Sequence, residues 1–115
     1  MKIHHIGYLV KHINKAQERF EQLCYTSIQP VMFDEMRGVD ICFLEKDGYV
    51  VELVSPATLE SVVTNLIKRY KNAPYHICYS TTNFEKEVQK LAANGLHRFV
   101  QLHLHLLLTI NRLCF

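Results

Sequence analysis

Hydrophobic and polar positions along the chain change period in an order that predicts its elements. Residues 2–10 mix β-branched and aromatic side chains and read as a strand. Ile13, Ala16, Phe20 and Leu23 then fall at helical spacing, with Asn14 and Gln17 placed as a capping box. From Tyr25 to about Met36 a second strand is predicted, bent near Pro30. Arg37-Gly38 breaks the run. Val39, Ile41 and Phe43 next alternate with Asp40 and Cys42 as far as Glu45, and Lys46-Asp47-Gly48 is a hairpin turn signal. Tyr49 to Val54 forms the returning strand, in which Glu52 is a lone carboxylate among apolar residues. Residues 1–54 therefore read as β-α-β-β-β.

Residues 55–73 read as a helical connector. Ser55-Pro56 ends the strand and can open a helix, whose stripe is Leu59, Val62, Val63, Leu66, Ile67 and Tyr70. A new strand begins near Pro74. Thr82-Asn83-Phe84-Glu85 has the form of a second capping box, with Phe84, Val88, Leu91 and Ala92 facing a core and Gly95 closing the helix. Residues 74–100 thus start a second module. Residues 101–115 show Leu/His alternation and no turn signals where two further hairpin strands are expected, so the second module reads as incomplete.

The two modules share a sequence repeat. His4-His5-Ile6-Gly7-Tyr8 matches Tyr75-His76-Ile77-Cys78-Tyr79 at an offset of 71 residues, and Phe20 falls on Leu91 at the same offset. Two copies of one unit related by pseudo-symmetry would bring His5 and His76 together. Glu52 joins them if the first module curves around the same cavity. Imidazole nitrogens with a carboxylate oxygen suit a divalent ion of borderline character: Zn, Co, Ni, Mn or Fe. The alternative for each histidine is a hydrogen-bonded core residue, but a buried Glu52 needs something to satisfy it. His103 and His105 point to one side of a strand and are weaker candidates for a substitute ligand.

Composition narrows the function classes. The chain has 115 residues, 49% hydrophobic and 21% charged, which is a single folded domain rather than disorder. A net charge of +2 with no basic run gives no footprint for nucleic acid. The longest apolar run, Leu102 to Ile110, is too short for a membrane span and is broken by His103 and His105. The N-terminal strand pattern leaves no room for a signal peptide. The four cysteines contain no CxxC pair and are read as reduced and structural, which predicts a cytoplasmic protein.

Four pieces in order carry a family resemblance over about residues 1–100. They are His5-Ile6-Gly7, Gly38-Val39 ahead of Phe43-Leu44, Glu52-Leu53, and His76-Ile77. With them the chain resembles the vicinal oxygen chelate superfamily (glyoxalase, bleomycin resistance, dioxygenase), especially its methylmalonyl-CoA epimerase-like and glyoxalase-like members. The resemblance implies an α+β fold of paired βαβββ modules in a cupped mixed sheet. It also implies a divalent metal held by His5, Glu52 and His76. The family's fourth ligand, a carboxylate on the last strand, has no matching position here. Glu35, shortly before the Gly38-Val39 step, is the match for a proton-transfer carboxylate. The implied function is a metal-dependent isomerase or lyase that moves a proton next to a carbonyl, acting on a small carbonyl compound or an acyl thioester. Two alternatives are a non-catalytic binding protein of the bleomycin-resistance type and an Fe(II) dioxygenase. An incomplete second module exposes sheet edge, which predicts a homodimer.

Overall fold

The computed structural model describes residues 1–96, 101–102 and 111–114. The chain divides into two compact units, Ile6–Tyr75 and Met1–His5 with His76–Phe115, so the boundary falls inside two strands. Among the described residues, no helix is long and apolar enough to cross a membrane.

The unit Ile6–Tyr75 is the predicted β-α-β-β-β module with its connector. Its elements are β1 (Lys2–Leu9), α1 (Ile13–Gln22), β2 (Thr26–Asp34), β3 (Val39–Lys46), β4 (Tyr49–Pro56) and α2 (Thr64–Tyr70). The strands lie in the order β2-β3-β4-β1, with β1 parallel to β4 and the other neighbours antiparallel. The β3–β4 turn needs two left-handed residues, and Asp47 (φ 54°) and Gly48 (φ 82°) supply them. Lys46 opposite Tyr49 closes that hairpin. In β2 the register shifts twice, just before Pro30 between Ser27 and Gln29, and across it between Gln29 and Met32. A residue without an N–H cannot keep the ladder regular, so the bend expected there is present.

Both faces of this sheet are covered. On one, Val10, Cys42, Leu44, Val51 and Leu53 pack with Ile13, Ala16 and Phe20 of α1. On the other, Leu9, Val39, Ile41, Phe43 and Val54 pack with Val63 and Ile67. Strand alternation puts Glu52 on this second face, two residues before Val54.

Local predictions failed at three places, one overruled by burial and two by backbone hydrogen bonding. Helix α1 starts at Ile13, with His12 at its cap and no side-chain cap bond, so the Asn14–Gln17 box does not form. Burial of Ile13 draws the helix start forward. Pro56 ends β4, paired with Val39, instead of opening a helix. The following segment cannot wind because its amides are spent elsewhere: Ala57 N–H and Thr58 N–H donate to Gly38 O, and Val62 N–H donates to Arg37 O. Helix α2 therefore begins only at Thr64, leaving Leu59 and Val62 exposed.

The other unit contains the first residues of β1, most of β5 (Ala73–Thr81), α3 (Phe84–Ala93), β6 (Gln101–Leu102) and β7 (Asn111–Cys114), with β5, β7 and β6 in that order. Helix α3 is capped by Asn83, whose Oδ1 accepts from Lys86 N–H, one residue after the expected Thr82. Phe84, Val88, Leu91 and Ala92 are half-buried on one face, as the spacing predicts. Gly95 at φ 83° ends the helix, with Leu96 N–H returning to Leu91 O. The C-terminal segment, read from the sequence as the incomplete end of the second module, contributes β7, antiparallel to β5 with Cys78 opposite Cys114 and Thr81 opposite Asn111. That register joins Cys78 and Cys114 in a disulfide, which corrects the expectation that all four cysteines are reduced. Cys24 and Cys42 are free thiols.

Candidate metal centre

His5 and His76 are together. Their Nε2 atoms lie 3.2 Å apart, with ring centroids 5.3 Å apart and planes at 77°. His5 is buried and His76 half-buried. Alternation along β1 buries His5, Gly7 and Leu9 on one side, and the repeat places His76 at the equivalent point of β5. The 71-residue offset read from the sequence thus corresponds to a contact in space.

The second nitrogen of His5 is also engaged. Its Nδ1 lies 2.7 Å from His4 Nδ1, so His4 fixes the ring and leaves Nε2 as the nitrogen that meets His76. A ligand histidine is commonly oriented through its other ring nitrogen in this way. Sequence reasoning assigns His4 no role beyond its place at the start of the repeated stretch. The adjacent pair His4-His5 was the available signal.

The donor chemistry fits a divalent ion. Two imidazole nitrogens each ~2.0–2.1 Å from one tetrahedral ion stand roughly 3.3 Å apart. The observed 3.2 Å needs no rearrangement of either strand. Imidazoles hydrogen-bonded to each other have a similar spacing, so the same arrangement of the two strands serves either contact.

Glu52 belongs to the unit Ile6–Tyr75 and is only 1% exposed. It sits between Phe43 on β3 and Gly7 on β1, and Gly7 places no side chain beside it. Its negative charge is felt by neighbours in the same unit. The Cys42 thiol is pushed up to about 11, first by burial and then by Glu21 and Glu52. The Tyr75 hydroxyl is pushed up by burial and then by Glu52, with Arg37 acting in the opposite direction. Glu35 is an exposed residue of the turn between β2 and β3. The same turn holds Arg37, whose Nε donates to Asp34 Oδ2 at 2.7 Å and whose backbone N–H donates to Asp34 Oδ1. Burial acts to raise the Asp34 carboxyl, but these Arg37 bonds hold it below its ordinary value. His103 and His105 lie outside the described residues.

Comparison with known proteins agrees with this architecture. The family model of the Glyoxalase/Bleomycin resistance protein/Dioxygenase superfamily matches residues 4–103. The hypothetical protein BH1468 from Bacillus halodurans C-125 is 26% identical with a TM-score of 0.76, over 88% of this chain and 70% of that one. Methylmalonyl-CoA epimerase from Mycobacterium tuberculosis is 13% identical with a TM-score of 0.75, over 90% and 72% of the two chains. A Streptomyces coelicolor methylmalonyl-CoA epimerase variant in complex with 2-nitronate-propionyl-CoA is 18% identical with a TM-score of 0.73, over 90% and 81%. Among curated proteins, none matches. The fold is α+β and glyoxalase-like, as the sequence resemblance implied.

Proposed function

The chain belongs to the glyoxalase/bleomycin resistance protein/dioxygenase superfamily, and from that premise we propose that it is a metal-dependent isomerase or lyase. Its substrate in this reading is a small carbonyl compound or an acyl thioester, and the reaction moves a proton next to the carbonyl. The observation that carries the reading is the 3.2 Å approach of His5 Nε2 to His76 Nε2 from two repeat-equivalent strands. Glu52 is the third ligand. Its support is its burial, its place on an apolar strand face, and its pairing with Gly7, which precedes Leu9 on the buried side of β1. The acyl-CoA analogue bound by a structural relative supports the thioester class.

A divalent ion held there supplies Lewis acidity, which eases loss of a proton next to a carbonyl. The chain's own residues do the rest. His5 and His76 offer Nε2, and His4 keeps the His5 ring in the orientation that does so. Glu35, a turn carboxylate, accepts the α-proton and returns it. We place the protein in the cytoplasm, where its free thiols Cys24 and Cys42 stay reduced. It acts as a homodimer in this reading, with edge strand β2, which exposes Ile28 and Phe33, available for self-pairing.

The test is metal content by elemental mass spectrometry on untagged, non-reduced protein after exposure to Co, Ni, Mn or Zn. Near-stoichiometric metal is expected, abolished by His5→Ala and His76→Ala and strongly reduced by Glu52→Gln. Glu35→Gln is expected to keep the metal while losing solvent deuterium exchange at the α-carbon of an acyl-CoA. Failure of the wild-type protein to take up any of the four ions would replace this reading with the bleomycin-resistance type of binding protein.

A further inference from the structure

The disulfide faces the same histidine as the proposed isomerase metal. Cys78 lies two residues after His76 on β5, hence on the same side of that strand, and Cys114 is its direct cross-strand partner. A His5 ring nitrogen and the sulfurs of Cys78 and Cys114 all lie within 4.8 Å of one another, and all three residues are buried. These residues belong to one unit of the chain, so the cluster depends on nothing outside it. Two thiolates and an imidazole are the donor set of tetrahedral zinc, with a position left open.

We propose that the Cys78–Cys114 disulfide is the oxidised form of a zinc site completed by His5. With a phosphine as reductant, the disulfide takes up two electrons and two protons to give two thiols, and the phosphine leaves as its oxide with oxygen from water. Zinc then binds the two sulfurs and one His5 nitrogen and releases the two thiol protons. In the cell a dithiol serves as reductant and is itself oxidised to a disulfide. Disulfides of cytosolic proteins are usually transient and redox-sensing, which fits a bond that opens onto a metal site. The site has a regulatory consequence. His5 is common to both donor sets, so zinc held by sulfur withdraws His5 from His76. Thiol–disulfide exchange with an oxidised dithiol reverses the step. The two thiolates give up two electrons and re-form Cys78–Cys114, and the incoming disulfide takes up those electrons and two protons to become a dithiol. The released zinc leaves His5 to the isomerase site. The sulfur site itself rests only on His5, Cys78 and Cys114, and stands whether or not Glu52 binds metal.

The experiment uses cobalt(II) as the spectroscopic stand-in for zinc, on the full chain before and after reduction with a phosphine that is then removed. Thiol counting in denaturant should give two free thiols before reduction and four after it. Only the reduced protein is expected to show thiolate-to-cobalt charge-transfer absorption, at one cobalt per chain and displaced by zinc. Cys78→Ser and Cys114→Ser should each weaken the band and lower zinc affinity by at least the ~10–100-fold that loss of an outer-shell partner causes, and the double variant should abolish the band. Glu52→Gln should leave the band intact, which separates this site from the isomerase metal. Four thiols without reductant, or a reduced wild-type protein with no charge-transfer band, overturns the proposal. So does a band of undiminished intensity in the reduced Cys78→Ser/Cys114→Ser double variant, since Cys24 or Cys42 would then be its source. The oxidised and reduced wild-type spectra decide the matter even if a serine variant fails to fold.

Discussion

Gly38 and Gly48 allow two costs of a left-handed residue to be separated. Both have positive φ, at 64° and 82°. A Cβ added at Gly48 would meet nothing within 4 Å, whereas one at Gly38 would lie 2.5 Å from Thr58 Oγ1 and 3.3 Å from Ser61 Cα. The left-handed conformation costs an alanine about 1–2 kcal/mol. The stiffer unfolded chain returns about 0.4–1 kcal/mol of that. Gly48→Ala should therefore destabilise the protein by about 1 kcal/mol. Gly38→Ala carries the same backbone cost plus crowding, roughly 1–3 kcal/mol more. Thr58 is exposed and its Oγ1 is the end of a side chain, so Thr58→Ala in the Gly38→Ala background should recover about 1 kcal/mol. The Ser61 backbone remains in place and keeps the rescue partial.

Urea unfolding of the wild type, both single variants and the double variant measures the cycle, provided the m-value stays constant. The reasoning fails if Gly38→Ala costs no more than Gly48→Ala, or if Thr58→Ala gives no rescue. The result bears on function as well. Gly38 O accepts from Ala57 N–H and Thr58 N–H, so the turn that carries Glu35 is fastened to the connector through this glycine. Gly38→Ala should impair α-proton exchange more than it lowers metal content.

Other consequences are measurable in the same way. Reducing Cys78–Cys114 in metal-free buffer removes a cross-link between residues 36 apart in sequence and should cost about 4 kcal/mol, read as a lower urea midpoint; a change below about 1 kcal/mol would contradict the assignment. Asp34 has a folded pKa below 3.8, so its stabilising effect is fully present above that value and is lost as pH falls through the lower, folded one. The stability gap between wild type and Asp34→Asn should accordingly close in acid, and a gap that widens in acid refutes the sign. Asn83→Ala removes the cap on α3 and should cost about 1 kcal/mol, with faster hydrogen exchange at the Lys86 amide that Asn83 now holds.

What was legible in the sequence was whatever repeats or alternates locally. The β-α-β-β-β module follows from a period of two giving way to a helical period, and from Asp47-Gly48, whose backbone requirement is written in its residue types. The His5–His76 contact is long-range, yet it was readable because the repeat converts a distance in space into a fixed offset in sequence. Glu52 stood out because a carboxylate on an apolar strand face must have a reason to be there. The Cys78–Cys114 bond had no such mark. It depends on β7 pairing with β5 in one register, and the fifteen or so residues after Val100 contain no turn signal to announce that strand. Residues 57–62 misled for a related reason: their apolar spacing is helical, but the amides of Ala57, Thr58 and Val62 are committed to a turn some twenty residues earlier. The same division explains why the two proposed metal sites differ in visibility. His5 has one set of partners announced by symmetry and another set by strand register, and only the first can be inferred without knowing which strands meet.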